Sequence, residues 1–377
     1  MFNDQMDNIS KKIVITGGHH SSALPVIERL RSIDRNIEII WFGHKYSLRG
    51  DKSPTLEFIE ISGMDIPFIN LNAGKVYRNF NIFKLFKVPL GFFQAFFSLF
   101  RLKPNVILSF GGYLAVPVVI SGWLLGIPVV THEQTVVVGY ANKLISFFAK
   151  KILISWPTSE KHFPKEKIMY SGIPLRKEIF ISKSNAITVE NNLPVVYVTG
   201  GKSGSHLINQ LILDNMEKIL TVCNVIHQTG NNSVYGDYER LVNKYEEIRS
   251  IVKGSYYARK FILEGEIGEI YSKANLVISR SGAHVTAELL ALEKPSLLIP
   301  IPWVSHNEQY ENAKILKNAG LSEILEEKDL LKKDFSEYIK QTLTNIDKYK
   351  LNDLSIKNLI KQDAAEVICK EVLKLIK

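Results

Sequence analysis

Short apolar runs alternate with stretches of helical spacing along most of this chain. Lys12–Thr16 is a buried-type strand ending in Gly17-Gly18, 23–31 has its apolar residues at helical spacing, and 37–42 is a second strand. A strand at 105–109 leads into Phe110-Gly111-Gly112-Tyr113, followed by an apolar helix at 117–125 and strands at 128–131 and 151–155. This βα rhythm predicts a parallel sheet with helices on both faces. The polar stretch 44–64 reads as a loop between these elements, and the polar 182–193 reads as a linker. A second series begins with a strand at 194–199 and the turn Gly200-Gly201-Lys202-Ser203-Gly204-Ser205, and continues with a strand at 224–229. It closes over 276–320 as β-loop-α-β-loop-α, and an amphipathic, Lys-rich helix is expected at 356–377. The expected division is 1–181, a linker 182–193, 194–355 and a terminal helix 356–377.

The second series carries the first chemical signal. Its loops, Arg280-Ser281-Gly282-Ala283 and 302–306, leave strand ends and open helices. Free backbone N–H groups and the helix dipole make such places anion sites. Glu288 stands about one and a half turns into the first helix, where a carboxylate can accept both hydroxyls of a ribose. Gln309 and Asn312, at i and i+3, share a face of the next helix. The stretch is either a nucleotide-diphosphate site or an ordinary βαβα unit with a polar loop. Gly17-Gly18-His19-His20-Ser21-Ser22 is not G-x-G-x-x-G, and the 200–205 turn lacks the first glycine of a Walker A loop. Two Rossmann-like halves with glycine turns at their strand ends suit transfer between two large substrates across an interdomain cleft.

Composition narrows the partners. With 377 residues and 46% apolar residues the chain can bury two cores. A net charge of +9 admits nucleic acid, anionic lipid or phosphorylated substrates. Two distant cysteines, Cys223 and Cys369, form no metal spacing, and the polar first residues read as no secretory signal. The run 88–100 is uncharged and holds Phe92, Phe93, Phe96, Phe97 and Phe100, flanked by Arg78, Lys84, Lys87, Arg101 and Lys103. It is shorter than the roughly 20 residues a bilayer span needs. Its aromatics fall on one helix face, which fits either a core helix with snorkelling lysines or an interfacial helix on an anionic membrane. The aromatics form an apolar block instead of interleaving with polar groups, which disfavours nucleic acid.

The motifs taken together resemble one family. Phe110-Gly-Gly-Tyr113, Gly126-Ile-Pro128, His132-Glu-Gln134, Gly139-x-x-Asn142-Lys143, Gly172-x-Pro174-x-Arg176, Gly200-Gly-x-Ser203-Gly204, His227-Gln-Thr-Gly230, Arg280-Ser-Gly-Ala283 with Glu288, and Gln309-Tyr-x-Asn312-Ala313 occur in the order found in the MurG family. The resemblance covers nearly the whole chain. It implies a GT-B fold, two facing Rossmann-like parallel-sheet domains, and an inverting, metal-independent transfer of N-acetylglucosamine from UDP to lipid I, forming lipid II in cell-wall synthesis. Lipid I is a polyprenyl-pyrophosphate-linked acceptor. The resemblance also implies no cofactor beyond the donor, UDP-N-acetylglucosamine, no nucleic-acid partner, and a peripheral place on the cytoplasmic face of an anionic cell membrane.

The resemblance assigns residues as well. Glu288 would hold the ribose, Ser281, Gly282 and Ala283 the diphosphate, Glu308, Gln309 and Asn312 the sugar, and backbone near Ile262 the uracil. Arg176 matches the linker arginine near the donor. Thr16, Gly17, Gly18, Thr135, Lys202, Ser203 and Gly204 complete the nucleotide-sugar set. Phe92, Phe93, Phe96, Phe97, Lys84, Lys87 and Arg101 would form the membrane patch. The proton acceptor is expected to be His19, if Thr16-Gly17-Gly18-His19 is aligned with the family's Thr-Gly-Gly-His. Alignment on Pro25 puts Ser22 there instead, with His20 close by. Thr135, Lys202 and Glu308 depart from the family's Asn, Ser and Gln. Other readings are a transferase with another lipid or glycan acceptor, a UDP-sugar epimerase, and a degenerate membrane scaffold.

Overall fold

The computed structural model describes residues 11–46, 54–71, 87–182, 187–232, 234–330, 334–352, 356 and 358–376. The chain forms two compact units, Met1–Leu175 with Lys361–Lys377, and Arg176–Ile360. Arg176 therefore belongs to the second unit, and the last helix to the first.

In the first unit β1 (Lys12–Thr16), β2 (Glu38–Gly43), β3 (Phe68–Asn70), β4 (Val106–Ser109), β5 (Val129–Glu133), β6 (Lys151–Ile154) and β7 (Ile168–Tyr170) form one sheet in the order β3-β2-β1-β4-β5-β6-β7. Every described pairing is parallel. The strand period of two divides the core. Ile13, Ile15, Leu108 and Leu153 face α1 (His20–Ile33) and the terminal helix Ala364–Leu373, which contributes Ile368 and Val372. Val14, Ile107, Val129 and Ile152 face the opposite layer. That layer holds α3 (Lys87–Leu102), α4 (Ala115–Leu124) and α5 (Tyr140–Phe148). The polar 44–64 stretch is not all loop. It contains α2 (Leu56–Gly63), whose N-cap Thr55 accepts from the Phe58 N–H at 3.1 Å and whose Ile61 enters the core. One apolar anchor and one cap suffice to order a short helix that its composition conceals.

The second unit contains β8 (Val195–Thr199), β9 (Asn224–Gln228), β10 (Tyr256–Arg259), β11 (Leu276–Ser279), β12 (Ser296–Leu298) and β13 (Ser322–Ile324), in the order β10-β9-β8-β11-β12-β13. All described pairings are again parallel. In each unit the order reverses beside the first strand, at β1/β4 and at β8/β11. Adjacent strand ends lead away in opposite directions there and leave room for a ligand. Among the described residues no helix is long and apolar enough to cross a membrane.

Candidate active site

At the first reversal point, the turn after β1 packs against the turn after β4. The Gly18 N–H donates to Gly111 O at 3.0 Å. Gly17 has φ +143°, and a Cβ there would sit 2.8 Å from the Phe110 backbone, so only glycine fits. Thr16 is buried and donates its hydroxyl to Phe42 O at 3.0 Å. His19 is half-buried, and burial, with His20 beside it, lowers its pKa to about 4. His20 Nε2 lies 3.0 Å from Glu60 Oε2 on α2. Ser22 is buried and donates to Gln134 Oε1. The three candidate proton acceptors thus stand in three different surroundings.

Behind this loop lies a buried polar cluster. Glu133 accepts from the Thr135 N–H at 2.9 Å, the Thr135 hydroxyl at 2.7 Å and Asn142 Nδ2 at 2.6 Å. Burial raises the Glu133 pKa against these donors. His132 Nε2 contacts Gly172 O at 3.0 Å and Ser155 Oγ at 3.1 Å, and burial lowers the His132 pKa to about 4. Thr135 therefore sits in the first unit as a fixed partner of a buried carboxylate.

At the second reversal point, Glu288 is 3% exposed on the helix Ala283–Ala291. Arg176 donates to it through Nε at 2.8 Å and Nη2 at 3.2 Å, and the Tyr271 hydroxyl donates to Oε2 at 2.8 Å. Burial and the Glu288 carboxylate raise the Tyr271 pKa well above its usual value, which keeps it a donor. Gly282 opens that helix in extended geometry and, being a glycine, offers no capping side chain of its own. The Ser281 hydroxyl donates to Gln309 O at 2.8 Å, Asn312 Nδ2 donates to Ser281 O at 3.1 Å, and Gln309 Oε1 accepts from the Ile301 N–H at 3.1 Å. Gln309 and Asn312 thus tie the two loops together. Buried Arg280 joins the same loop to Ser205 Oγ at 3.1 Å and to Glu327 at 2.7 Å.

The 200–205 turn packs against the turn after β9. A Cβ on Gly204, at φ +75°, would lie 2.1 Å from Thr229 O. Ser203 is exposed, and Lys202 and Ile262 are half-exposed. Immediately before Glu308, His306 and Asn307 both adopt left-handed geometry, at φ +56° and +54°. Two successive non-glycine residues in that region mark a loop held in shape by its surroundings.

Comparison with known proteins decides between the readings. Residues 15–154 match the Glycosyltransferase family 28 N-terminal domain, and 195–368 match the Glycosyltransferase family 28 C-terminal domain. A Clostridium tetani protein is 33% identical over 93% of this chain and 95% of its own length, and a Borrelia hermsii protein is 30% identical over 97% and 98%. Both are named UDP-N-acetylglucosamine--N-acetylmuramyl-(pentapeptide) pyrophosphoryl-undecaprenol N-acetylglucosamine transferase. The chain belongs to the MurG family. In fold it is similar to Acinetobacter baumannii MurG, with a TM-score of 0.70 at 22% identity over 97% of this chain and 99% of that one. It is also similar to a UDP-GlcNAc 2-epimerase from Neisseria meningitidis, at 0.62 and 15% over 96% and 99%. At these identities the likeness is one of fold, and the two parallel-sheet Rossmann-like units are the GT-B fold expected from the sequence.

The aromatic helix α3 turns its small and aliphatic side inward and most of its rings outward. Gly91, Ala95 and Leu99 are buried, whereas Phe93 and Phe97 are 55% and 57% exposed and Leu90 and Phe100 are also exposed. Phe92 and Phe96 are half-buried and stack with ring centroids 6.4 Å apart. The small residues Gly91 and Ala95, at i and i+4, let the helix lie close on its layer while Leu99 enters the core, which leaves the rings outward. Exposed Trp123 and Leu124 on α4, and Tyr140 and Phe147 on α5, enlarge the apolar surface of this layer. None of these four was expected at the surface from the sequence. Arg101 is exposed, Lys87 opens the helix, and Lys84 lies outside the described residues.

Proposed function

We propose that this protein transfers N-acetylglucosamine from UDP-N-acetylglucosamine to lipid I, forming lipid II for peptidoglycan. The observation that carries the reading is the match to transferases of that name at 30–33% identity across more than 90% of the chain, spanning both units. The likeness to 2-epimerases is at the level of fold.

In this reading the second unit binds the donor. The N–H groups at Gly282 and Ala283 and the helix dipole stabilise negative charge as UDP departs. Glu288, held by Arg176 and Tyr271, presents a fixed carboxylate edge to the ribose. Glu308, Gln309 and Asn312 shape the sugar pocket through the loops they anchor, and the turn of Lys202, Ser203 and Gly204 borders it. The backbone near Ile262 reads the base. The first unit takes the acceptor, and the loop from Thr16 to Ser22 supplies the proton acceptor. The outward aromatics of α3, with Lys87 and Arg101, seat the protein peripherally on the cytoplasmic face of an anionic membrane, where a polyprenyl-linked acceptor resides.

The experiment is UDP release from UDP-N-acetylglucosamine with and without a soluble lipid I analogue. Release that requires the analogue is expected. Tight UDP binding without analogue-dependent release would reassign the acceptor.

A further inference from the structure

We infer that His20, oriented by Glu60, is the base that accepts the proton of the acceptor hydroxyl, in place of the histidine that the loop lacks at the Ser22 position. The inference rests on the transferase reading above. Ser22, which alignment on Pro25 places at the family's histidine, is buried and spends its hydroxyl on Gln134. A serine has no basic nitrogen of its own, so it needs a neighbouring base, and Gln134 is not one. His19 is neutral near pH 7, but burial and the adjacent His20 make it a weak base, and the hydrogen bond it makes to the described Ser22 N–H, at 3.2 Å, is through its backbone oxygen and does not orient the ring. Base strength far below the working pH limits proton transfer.

His20 has what the other two lack. Its Nε2 lies 3.0 Å from Glu60 Oε2, so the N–H sits on Nε2 and the lone pair on Nδ1. A carboxylate on the far nitrogen fixes the tautomer and stabilises the imidazolium as it forms, the arrangement of an activated base with its orienting group. The ionisable groups around it are His19 on the same loop and Glu57 and Glu60 on α2, with Tyr113 acting on Glu57. Burial raises the Glu57 pKa even though the Trp41 indole donates to it at 2.6 Å. In the step, the acceptor oxygen bonds to the anomeric carbon and gives its proton to His20 Nδ1. The bond from that carbon to the UDP oxygen breaks, and its electron pair leaves with UDP. Glu60 is a positioning residue.

The test measures turnover against pH by analogue-dependent UDP release for wild type, His20→Gln, His19→Gln, Glu60→Gln and Glu60→Asp. His20→Gln is expected to lose about 10²–10⁴-fold in kcat with KM and UDP binding nearly unchanged, and to lose far more than His19→Gln. Glu60→Gln is expected to lose about tenfold and to move the acid limb of the profile to lower pH, and Glu60→Asp to recover part of both. A merely structural Glu60 would lower the curve without moving the limb. A larger loss in His19→Gln than in His20→Gln, or an unmoved limb in Glu60→Gln, overturns the assignment. If His20→Gln fails to fold, the limb in the Glu60 variants decides. A wild type without analogue-dependent release would instead sink lipid I as the acceptor, the reading on which this assignment rests.

Discussion

Arg176 closes both arms of its guanidinium on the Glu288 carboxylate, Nε to Oε1 at 2.8 Å and Nη2 to Oε2 at 3.2 Å, within the second unit. The carboxylate is buried and the arginine only partly so. Glu288→Ala strips one partner from a buried pair and leaves the Tyr271 hydroxyl without its acceptor. A loss of about 3 kcal/mol in the stability of this unit is expected, at the low end for broken buried pairs because Arg176 can turn to solvent. Glu288→Gln keeps the shape and a neutral acceptor, so it should unfold later on heating than Glu288→Ala. Both should bind UDP more weakly than wild type, as read by calorimetric titration. Wild-type UDP affinity in both variants would remove Glu288 from the donor site.

Buried neutral histidines make the fold sensitive to acid. Burial lowers the pKa of His227 to about 3 and that of His132 to about 4. Unfolded, both titrate near 6.5. Between those values the unfolded chain binds more protons, so stability rises with pH across that window and is lost as pH falls from about 6.5. Each pKa unit is worth about 1.4 kcal/mol. The midpoint of thermal unfolding should therefore drop steeply from pH 7 to pH 5. His227→Gln keeps a polar partner for the Tyr256 hydroxyl, 2.8 Å away in the native protein, and should flatten that drop while lowering stability at pH 7.5. An unchanged acid slope would show that other groups set it.

Long, strongly patterned elements were readable from the sequence, and short edge elements were not. β1, β8 and β11 are apolar runs beside glycine turns, and the whole site hangs from them. β3, β7 and β13 have three residues each and lie at or beside polar or charged residues, whereas the equally short β12 was legible because its apolar run continues to Ile301. The helix at Leu56–Gly63 was hidden by polar flanks. Glu288, Gln309 and Asn312 were legible because motif spacing placed them, but the bonds they make were not. Nothing in one dimension says that the Glu288 oxygens would meet Arg176 and Tyr271, or that Thr135 would cap a buried glutamate. Glu60, 40 residues from His20, became visible only when β1 and β2 paired and brought α2 alongside the loop.

Gly204 tests whether the 200–205 turn shapes the donor site. At φ +75° an alanine pays left-handed strain of about 1–2 kcal/mol, and its methyl would also strike Thr229 O at 2.1 Å. The turn must move away from Gly230 to relieve that contact. Gly204→Ala should weaken UDP binding more than tenfold and lower the unfolding midpoint, whereas Gly126→Ala, at φ +74° with nothing within 4 Å of its Cβ, should cost stability but leave UDP binding alone. Equal loss of UDP affinity in both would reduce the Gly204 effect to general destabilisation.

The aromatic face of α3 is the remaining choice between core and membrane. A ring that packs in a core costs about 3–5 kcal/mol when truncated, but Phe93 and Phe97 are more than half exposed while Ala95 and Leu99 on the same helix are fully buried. The double change Phe93→Ser, Phe97→Ser should therefore leave the unfolding midpoint within about 2 °C, because surface changes usually stay within about 0.5 kcal/mol. Burying roughly 25 cal/mol per Å² of apolar surface in the acyl boundary gives two phenylalanines a few kcal/mol of membrane affinity. Co-sedimentation with vesicles of phosphatidylglycerol and phosphatidylethanolamine should fall more than tenfold in the double variant. Arg101→Gln should weaken it less, and that part should vanish in high salt because it is electrostatic. Unchanged sedimentation with a collapsed midpoint would mean that these rings serve the fold and that another surface meets the lipid.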